Sequence, residues 1–455
     1  MRISVDTSGL AGKDAGPLIQ SIQYALDDSN DFSAHHLRLS ERSQYGKQED
    51  STALSIRLHP SGDQSTTSAA LSPHSRQLEV HFPAQAISSP SATSVLGPLI
   101  AQKLQDVFAE EQGLLAELVS PNAFTAVSKK LSPDMLASIA KRTTRTMKYA
   151  PTYHLSFSML TASAYPSSWD IEEAAQKTLM PLLTALSRVS NFTVDTQILS
   201  YAVLPPTVQP QHSAGDGPWI LRPEDLGGFI NAAEWPLSPS IGAGPTINFI
   251  LYIAPPDQSP LLVNGSTTNS WIIPQWGGVT IFNPTSGENT KSLSAADLEP
   301  ALLNFSTQLL SLLGVPTTPT NSLSLRLMTL TRLRAASLLL SASSTLGSLA
   351  RLAATLSSIP IPQTVATSVD STVSHLNAAC TALRAGEFQI ALEHARIADI
   401  EAEKAFFERS MVGQVYFPDE HKVAVYLPLM GPMAVPLLMS ALKEVVPLIR
   451  KLKKR

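Results

Sequence analysis

The chain has a single cysteine, Cys380, among its 455 residues. One thiol cannot form a disulfide within the chain, so an ordered fold must depend on its hydrophobic core instead. Hydrophobic residues make up 44% of the sequence and the mean hydropathy is +0.06, values typical of a folded protein that buries a sizeable core. The 34 prolines indicate many turns and surface loops between the folded elements.

The sequence also lacks the short motifs that carry catalysis. It contains no G-x-S-x-G, no H-E-x-x-H, no C-x-x-C and no G-x-x-x-x-G-K-[ST]. His375 is close to Cys380 in sequence, but five residues along a helix turn the two side chains about 140° apart. Cys380 also continues an apolar stripe of that helix, which favours a core thiol over a nucleophile. We therefore predict no catalytic residue.

Possible metal ligands and glycines are present, but none has the spacing that a metal site or a phosphate-binding loop requires. His35 and His36 are neighbours on a predicted strand, so they face opposite sides and cannot readily share an ion. The polar residues Asp419, Glu420 and His421 come just before an apolar segment, where water-exposed side chains are typical. The glycines of "IGAGPT" precede a strand instead of a helix, unlike a dinucleotide fingerprint. We predict no cofactor and no metal site.

A long apolar and uncharged run lies near the C-terminus, at 423–442. It has about the length that a helix needs to cross ~30 Å of hydrocarbon. Three internal prolines fit a membrane helix better than the interior of a soluble one, so we predict a transmembrane helix at 423–449, with a buried core helix as the alternative. The basic cluster "RKLKKR" at 450–455 predicts a cytosolic C-terminus, which places residues 1–422 on the other side of the membrane.

Charge is distributed unevenly about this run. The whole chain has 33 basic and 37 acidic side chains, and six of the bases but only one of the acids follow residue 422. Residues 1–422 therefore carry 27 bases and 36 acids, a net charge of about −9. A surface of this sign does not favour nucleic acid as a partner.

Three Asn-x-Ser/Thr triplets begin at Asn191, Asn264 and Asn304. Such triplets accept glycans only in the secretory lumen, and we predict glycosylation at all three, in agreement with the orientation that the basic tail indicates. The chain begins "MRISVDTSGL", without an apolar segment that could act as a signal or a first span. Two explanations remain open: a first transmembrane span is missing before Met1, or the large part faces the cytosol and the triplets are accidental.

Hydrophobic periodicity predicts a mixed α/β (α+β) fold with a helical C-terminal part and one transmembrane helix. Strand-like and helical patterns alternate in two α/β lobes, after which the chain becomes helical. The predicted divisions are an N-terminal α/β lobe at 1–130, a second α/β lobe at 131–293, a helical region at 294–414, a juxtamembrane segment at 415–422, the transmembrane helix at 423–449 and a basic tail at 450–455.

Local signals predict several features of the helices. Ser167 and Asp170 have the spacing of a capping box, and Pro181 should kink the helix that follows. Gly386 is typical of a helix stop. The helix before that glycine has a predicted apolar stripe, formed by Val365, Val369, Val373, Leu376, Cys380 and Leu383.

The segment 270–284, "SWIIPQWGGVTIFNP", predicts two short strand pieces that are interrupted at 274–278. Proline cannot donate to a sheet ladder and paired glycines permit unusual backbone angles, so a bulge or a tight bend is expected there. Trp271 and Trp276 are predicted to be packing residues.

Five unusual segments, taken in order, closely resemble stretches of the PIG-S subunit of the glycosylphosphatidylinositol (GPI) transamidase. They are "PSSWDIEEA", "SNFTVDTQILSYA", "WIIPQWGGVTIFNP", "SASSTLGSLARLAATLSSI" and "VYFPDEHKVAVYLPLMGP". The resemblance extends from about Tyr153 to Leu438, and more loosely to "ALDDSNDFSAHHLRL" near the start.

This resemblance implies a non-catalytic structural subunit in the endoplasmic reticulum membrane, with a glycosylated lumenal bulk and a cytosolic C-terminus. The complex attaches GPI anchors to the C-termini of precursor proteins, and its catalytic cysteine belongs to the caspase-like K subunit. The implied partners are that subunit, the T, U and GAA1-type subunits and membrane lipid. The resemblance also favours a first span that is missing from the sequence.

Within that family, the exposed corner formed by Trp276, Gly277 and Gly278 is the expected contact with another subunit. Two alternative functions fit the residues less well. One is a lumenal, membrane-anchored hydrolase with an unrecognised site, and the other is a tail-anchored helical adaptor protein.

Overall fold

A computed structural model describes most of the chain. It describes residues 1–455 except 9, 11, 31, 42–51, 62–66, 84–89, 213–216, 231–234, 236, 238–243, 285–290, 318–321, 356–360, 410–418 and 453–455. The chain divides into two compact units, Met1–Ser337 with Thr381–Leu392, and Leu338–Cys380 with Glu393–Arg455. The predicted mixed α/β fold with a helical C-terminal part is confirmed, whereas the predicted domain boundaries stay predictions.

The first unit begins with a sheet that has five strands among the described residues. They are β1 (Arg2–Asp6), β2 (Arg38–Glu41), β3 (Leu54–Ser61), β4 (Ser68–Leu71) and β5 (Gln77–Pro83), in the order β2-β1-β3-β5-β4. Neighbouring strands are parallel except β4, which runs antiparallel to β5. Two helices, α1 (Gly12–Ser29) and α2 (Pro90–Val119), contribute apolar residues to the same core as the sheet.

Alternate burial of side chains along a strand explains why these segments form a sheet over one core. In β5, Leu78, Val80 and Phe82 are fully buried while the residues between them are partly exposed. The prediction that His35 and His36 lie on a strand is wrong, because β2 begins only at Arg38. Both histidines lie in the loop before it, where His35 is buried and His36 is exposed.

Two short helices, α3 (Pro121–Ser128) and α4 (Pro133–Arg145), connect the first sheet to the second. Each is preceded by a serine whose hydroxyl accepts a hydrogen bond from a free N–H of the first turn, and each has proline at its start. These caps define where both helices begin.

The second sheet also has five strands within the described part of the chain. They are β6 (Thr152–Thr161), β8 (Asn191–Ser200), β11 (Thr246–Ile253), β13 (Ser270–Ile273) and β14 (Gly277–Phe282), in the order β13-β14-β11-β6-β8. Neighbours are parallel except β13, which is antiparallel to β14. The central strands β6 and β11 are buried along nearly their whole length, as expected for strands covered on both faces.

Shorter elements surround this sheet. The strand β7 (Ser168–Trp169) pairs with β15 (Ser292–Leu293), and β10 (Trp219–Leu221) pairs with β9 (Gln211–His212) and β12 (Leu261–Val263). In the described part of the chain, 3₁₀ helices lie at Pro223–Gly228 and Pro256–Gln258.

Three helices belong to this part of the fold: α5 (Ile171–Thr178), α6 (Met180–Leu186) and α7 (Ala295–Leu312). The break between α5 and α6 confirms the kink predicted at Pro181. The predicted capping box is wrong, because the hydroxyl of Ser167 donates to the carbonyl of Lys291 and Asp170 makes no side-chain cap. On α7, the ring of Phe305 lies 5.1 Å from that of Phe249 on β11, centroid to centroid.

Four long helices follow among the residues that the structure describes: α8 (Leu323–Thr355), α9 (Gln363–Ala385), α10 (Phe388–Phe406) and α11 (Asp419–Leu452). The predicted stop at Gly386 is confirmed, because this residue has φ = 84° between α9 and α10. In the second unit, the helices pack through small side chains, and Ala342, Ala398 and Ala402 form one fully buried cluster.

Val365 of the predicted stripe of α9 is buried, but the buried positions that follow are shifted by one residue. Cys380 is exposed and so is Val373, whereas Ala379 and Thr372 are fully buried. The prediction of a core thiol is therefore wrong. The small residues face the other helices, and the hydroxyl of Thr372 donates to the carbonyl of Ser368, which satisfies its polar group inside the helix.

One helix among the described residues is long and apolar enough to cross a membrane. It is the segment Ala424–Val446 of α11, which has 23 residues and a mean hydropathy of 1.6. None of it is buried within the chain. Its length and composition fit the transmembrane helix that the sequence predicts.

Two neighbouring acids on α2 are buried in the first unit, and each faces a different arginine. The carboxylate of Glu111 accepts hydrogen bonds from Nε and Nη2 of Arg332 on α8, at 2.7 and 2.6 Å, and from the hydroxyl of Thr329 at 3.1 Å. Glu110 lies 3.7 Å from Nη1 of Arg142 on α4. Successive helical residues point about 100° apart, so α2 binds α4 and α8 through one short segment.

Aromatic rings complete the surroundings of Arg332. Its guanidinium lies 5.0 Å from the ring centroid of Phe388 and 6.0 Å from that of Phe108. Burial alone would raise the pKa of Glu111, but the charge and hydrogen bonds of Arg332 outweigh this effect and hold that pKa below its ordinary value. Glu111 is therefore ionised at neutral pH.

Removing one partner of this pair is expected to unfold the first unit readily. In Arg332→Leu the carboxylate of Glu111 stays buried without its counter-charge, which should lower the free energy of unfolding by about 3–5 kcal/mol. Denaturant unfolding of the full chain in detergent, followed by circular dichroism, measures this loss. The exposed Arg351→Leu on the same helix should change stability by less than ~0.5 kcal/mol.

The same pair predicts the pH dependence of stability. Because the folded pKa of Glu111 is lowered, the stabilisation is fully present above about pH 4.5 and is lost as pH falls through the lower, folded pKa. The double variant Glu111→Leu/Arg332→Leu should regain most of the stability lost by the single change, and its unfolding should depend less on pH over that range. A double variant as unstable as Arg332→Leu would contradict this account.

Candidate functional site

The described residues show no cluster arranged for thiol or metal chemistry. No group of three or more His, Cys, Asp or Glu side chains among them is placed to hold a metal ion. Cys380 is exposed on α9, and Nδ1 of His375 shares a hydrogen bond with Nδ1 of His394 on α10, 2.9 Å away. The structure therefore pairs His375 with His394 instead of with Cys380.

The distinctive segment 270–284 forms a β-hairpin at one edge of the second sheet. β13 and β14 pair from Ser270 opposite Thr280 to Ile273 opposite Gly277, so only 274–276 form the turn. Gln275 has φ = 57°, and its N–H donates to the carbonyl of Arg145 at 3.2 Å. The predicted tight bend is confirmed, but it ends at Trp276, two residues earlier than predicted.

Both glycines of this segment lie where a side chain would not fit. A Cβ at Gly277 would be 2.7 Å from the carbonyl carbon of Asn248 on the neighbouring strand β11. A Cβ at Gly278 would be 2.6 Å from Cδ of Gln308 on α7. Real Cβ atoms essentially never approach so closely. Gly277 therefore needs to be glycine because it faces backbone, whereas a side chain at Gly278 would have to displace the end of the Gln308 side chain and its hydrogen bonds.

Gln308 is a buried polar residue that sequence reasoning missed. Its amide nitrogen donates to the carbonyl of Trp271 at 3.0 Å, and to that of Val279 at 3.4 Å. It thereby links α7 to both strands of the hairpin. A glutamine within an otherwise apolar helix face is the one sequence signal that could have pointed to this role.

The tryptophans of the hairpin take part in packing, as predicted. The ring of Trp271 meets that of Phe229 edge to face, with centroids 4.9 Å apart, and Phe229 meets Tyr252 of β11 in the same way at 5.1 Å. Trp276 is half-buried against the same apolar cluster. Burial in this cluster raises the pKa of the Tyr252 hydroxyl.

The exposure that we expected for the corner at Trp276, Gly277 and Gly278 is not found for the two glycines. Both are buried because they form the start of β14, between β13 and β11. The exposed residues of the turn are Pro274 and Gln275. A subunit contact at this corner stays a prediction, and it could involve only the turn and the edge of Trp276.

The three predicted glycosylation sites differ in their surroundings. Asn191 is exposed at the first position of β8, and Asn264 is exposed in the turn after β12. Asn304 lies in the middle of α7, is only partly exposed, and its amide nitrogen donates to the carbonyl of Thr268 at 3.3 Å. A glycan on that nitrogen would replace one of its two hydrogens and would have to fit beside the carbonyl of Thr268.

Comparison with known proteins identifies the family. The family model described as phosphatidylinositol-glycan biosynthesis class S protein, PIG-S, matches residues 1–451. The chain belongs to the PIG-S family. The segments that resemble this family in the sequence therefore lie within a match that covers almost the whole chain.

Relatives of this PIG-S family member are known from animals and fungi. It is 32% identical over 381 residues to the Bos taurus "GPI-anchor transamidase component PIGS", an alignment that covers 78% of this chain and 66% of the relative. It is 33% identical over 378 residues to the Schizosaccharomyces pombe "GPI transamidase component PIG-S homolog", covering 81% and 65%. The Saccharomyces cerevisiae "GPI transamidase component GPI17" is 29% identical over 316 residues, covering 63% and 57%. The chain thus spans about two thirds, or less, of the length of these relatives.

The hairpin of this PIG-S family member provides a test of its packing. In Gly277→Ala the new Cβ meets the backbone of Asn248, which cannot move without breaking the pairing of β11 and β14, so the free energy of unfolding should fall by about 1–3 kcal/mol. The matched control is Gly227→Ala, where the new methyl group would meet nothing within 4 Å beyond its own stretch of chain. Denaturant unfolding of both full-length variants measures the difference, and equal stability would contradict the packing role.

Proposed function

We propose that this chain is a non-catalytic structural subunit of the GPI transamidase, needed to attach GPI anchors to the C-termini of precursor proteins. The observation that carries the proposal is its similarity to relatives named as components of that enzyme, over as much as 81% of its own length. The family match over 1–451 supports the same assignment.

The arrangement of its one thiol supports a non-catalytic role. Transamidation through a cysteine requires a thiolate with a base in hydrogen-bond reach. Cys380 lies on the exposed side of α9, and the nearby His375 is bonded to His394. We therefore assign the catalytic cysteine to another subunit, the caspase-like K subunit, as the family resemblance implies.

We place the protein in the endoplasmic reticulum membrane, with its bulk in the lumen and its C-terminus in the cytosol. The apolar segment Ala424–Val446 supplies the membrane span, and the basic residues that follow it favour the cytosolic side. Asn191 and Asn264 are exposed on the part that this orientation places in the lumen.

The proposed partners are the K, T, U and GAA1-type subunits and membrane lipid. A subunit of this kind acts by holding other chains in place, which requires rigid elements. The second sheet with its buried central strands provides such an element, and the hairpin of β13 and β14 is fixed to it by Gln308 and by the close approach at Gly277.

Loss of this chain from its own cells should reduce GPI anchoring without removing the catalytic thiol. We expect a GPI-anchored reporter to disappear from the cell surface while its uncleaved precursor accumulates. Re-expression of the chain, or of Cys380→Ser, should restore the reporter equally, because the thiol has no chemical part. Flow cytometry and immunoblotting measure both quantities. A Cys380→Ser chain that assembles into the complex but leaves anchoring abolished would contradict a non-catalytic role.

Glycan mapping tests the orientation. In full-length protein from cells, Asn264→Gln and Asn191→Gln should each remove one endoglycosidase-sensitive increment on a gel, because both side chains are exposed. Asn304→Gln should produce the smallest change, because the Asn304 amide is bonded within the fold. Wild-type protein without any glycan would contradict lumenal placement of the bulk.

A further inference from the structure

The last strand of the second sheet, β8, leaves one edge open. Within the described strands it pairs only with β6, in an unbroken parallel register from Thr152 opposite Asn191 to Thr161 opposite Ser200. This ten-residue edge is the longest among the edge strands of the two large sheets in the described part of the chain, since β2, β4 and β13 each have four residues.

The direction of the backbone groups follows from one hydrogen bond. The N–H of Asn191 donates to the carbonyl of Pro151, at 2.8 Å, so Asn191 directs its backbone groups toward β6. Successive residues of a strand alternate in this direction, and the continuous register leaves no bulge that would change it. Val194, Thr196 and Ile198 therefore direct their N–H and C=O groups away from the sheet.

Apart from Asp195, the devices that usually protect an edge are missing from β8 within the described part of the chain. Its sequence, "NFTVDTQILS", has no lysine, arginine or proline. The opposite edge is treated differently, because β13 has only four residues. An edge that is long, continuous in register and uncharged but for Asp195 is suited to pair with another strand.

Apolar side chains follow the same edge. Val194 and Ile198, which share one face of the sheet, are 38% and 37% exposed. Just past the end of β8, Tyr201 is 70% and Val203 is 60% exposed. A strand placed beside β8 would cover Val194 and Ile198 by cross-strand contact and would satisfy the outward backbone groups.

We propose that the outer edge of β8 binds an extended segment of another protein subunit of the GPI transamidase, which adds to the second sheet as one more strand. This inference rests on the proposed function, since the relatives are named components of that enzyme. A polypeptide backbone is the partner because it alone presents donors and acceptors at the spacing of the edge. The segment should have apolar side chains at alternate positions and no acid opposite Asp195.

Hydrogen exchange of the intact complex tests this pairing directly. The amides of Val194, Thr196 and Ile198 should exchange at least about fivefold more slowly in the complex purified from membranes than in the full chain purified alone, the effect of one net backbone hydrogen bond. The amides of Thr193 and Asp195, which point to β6, should be slow in both samples. This alternation distinguishes an added strand from general burial of the surface.

Proline substitutions in β8 test whether its outward N–H groups are needed for assembly with the other subunits. Thr196→Pro removes an outward N–H but no bond to β6, so the tagged chain should keep its thermal stability and recover several-fold less of the other subunits than wild type. Thr196→Val should assemble as wild type does. Asp195→Pro, one residue away, removes an N–H that points to β6 and should destabilise the fold. Val194→Lys/Ile198→Lys is a second variant that leaves the backbone unchanged and should also reduce assembly.

Each result decides between the alternatives. If wild type captures the other subunits and both Thr196→Pro and the double lysine variant do so equally, the edge proposal is wrong and the proposed function stands. If wild type captures none of them, both are wrong. If the outward amides are already protected in the chain alone, and Thr196→Pro converts a dimer into a monomer by analytical ultracentrifugation, the occupant is a second copy of this chain and the proposal is overturned.

Discussion

The carboxylate of Glu111 and the guanidinium of Arg332 are both almost entirely removed from water, with side chains 2% and 4% exposed. Neither charge could remain there alone, because the cost of desolvating an ion is recovered only through a well-placed partner and hydrogen bonds. The two helices α2 and α8 must therefore pack together for either charge to be buried, and separating them would expose both. The rings of Phe108 and Phe388 come to the same guanidinium, so α10 also begins beside this one charge.

Patterns that depend on neighbouring residues could be predicted from the sequence, and patterns that depend on distant ones could not. The alternation in β5, the break at Pro181 and the stop at Gly386 are local, and the structure has all three. The stripe of α9 was predicted one residue away because the helix buries small residues such as Ala379. A pattern of hydrophobic residues gives more weight to the larger side chains beside them. Glu111 and Arg332 are 221 residues apart, and no local signal joins them.

The hairpin of β13 and β14 shows the same division within the candidate site. Proline and paired glycines correctly predicted a bend, since these residues act on their own backbone. The reason for the glycines lies elsewhere, in the backbone of Asn248 and the amide of Gln308, which approach from β11 and α7. A motif that looks like an exposed recognition feature is thus explained by close packing, whereas nothing in the sequence of β8 indicates that this strand lies at the edge of its sheet.

The buried alanines of the second unit have a further consequence. On α10 they recur at a spacing of three and four residues, at Ala395, Ala398, Ala402 and Ala405. Alanine has no rotamers to choose among, so such a seam cannot repack around a change of volume as a leucine core can. A larger side chain at any of these four positions would therefore have to push the neighbouring helices apart instead of finding space within the core.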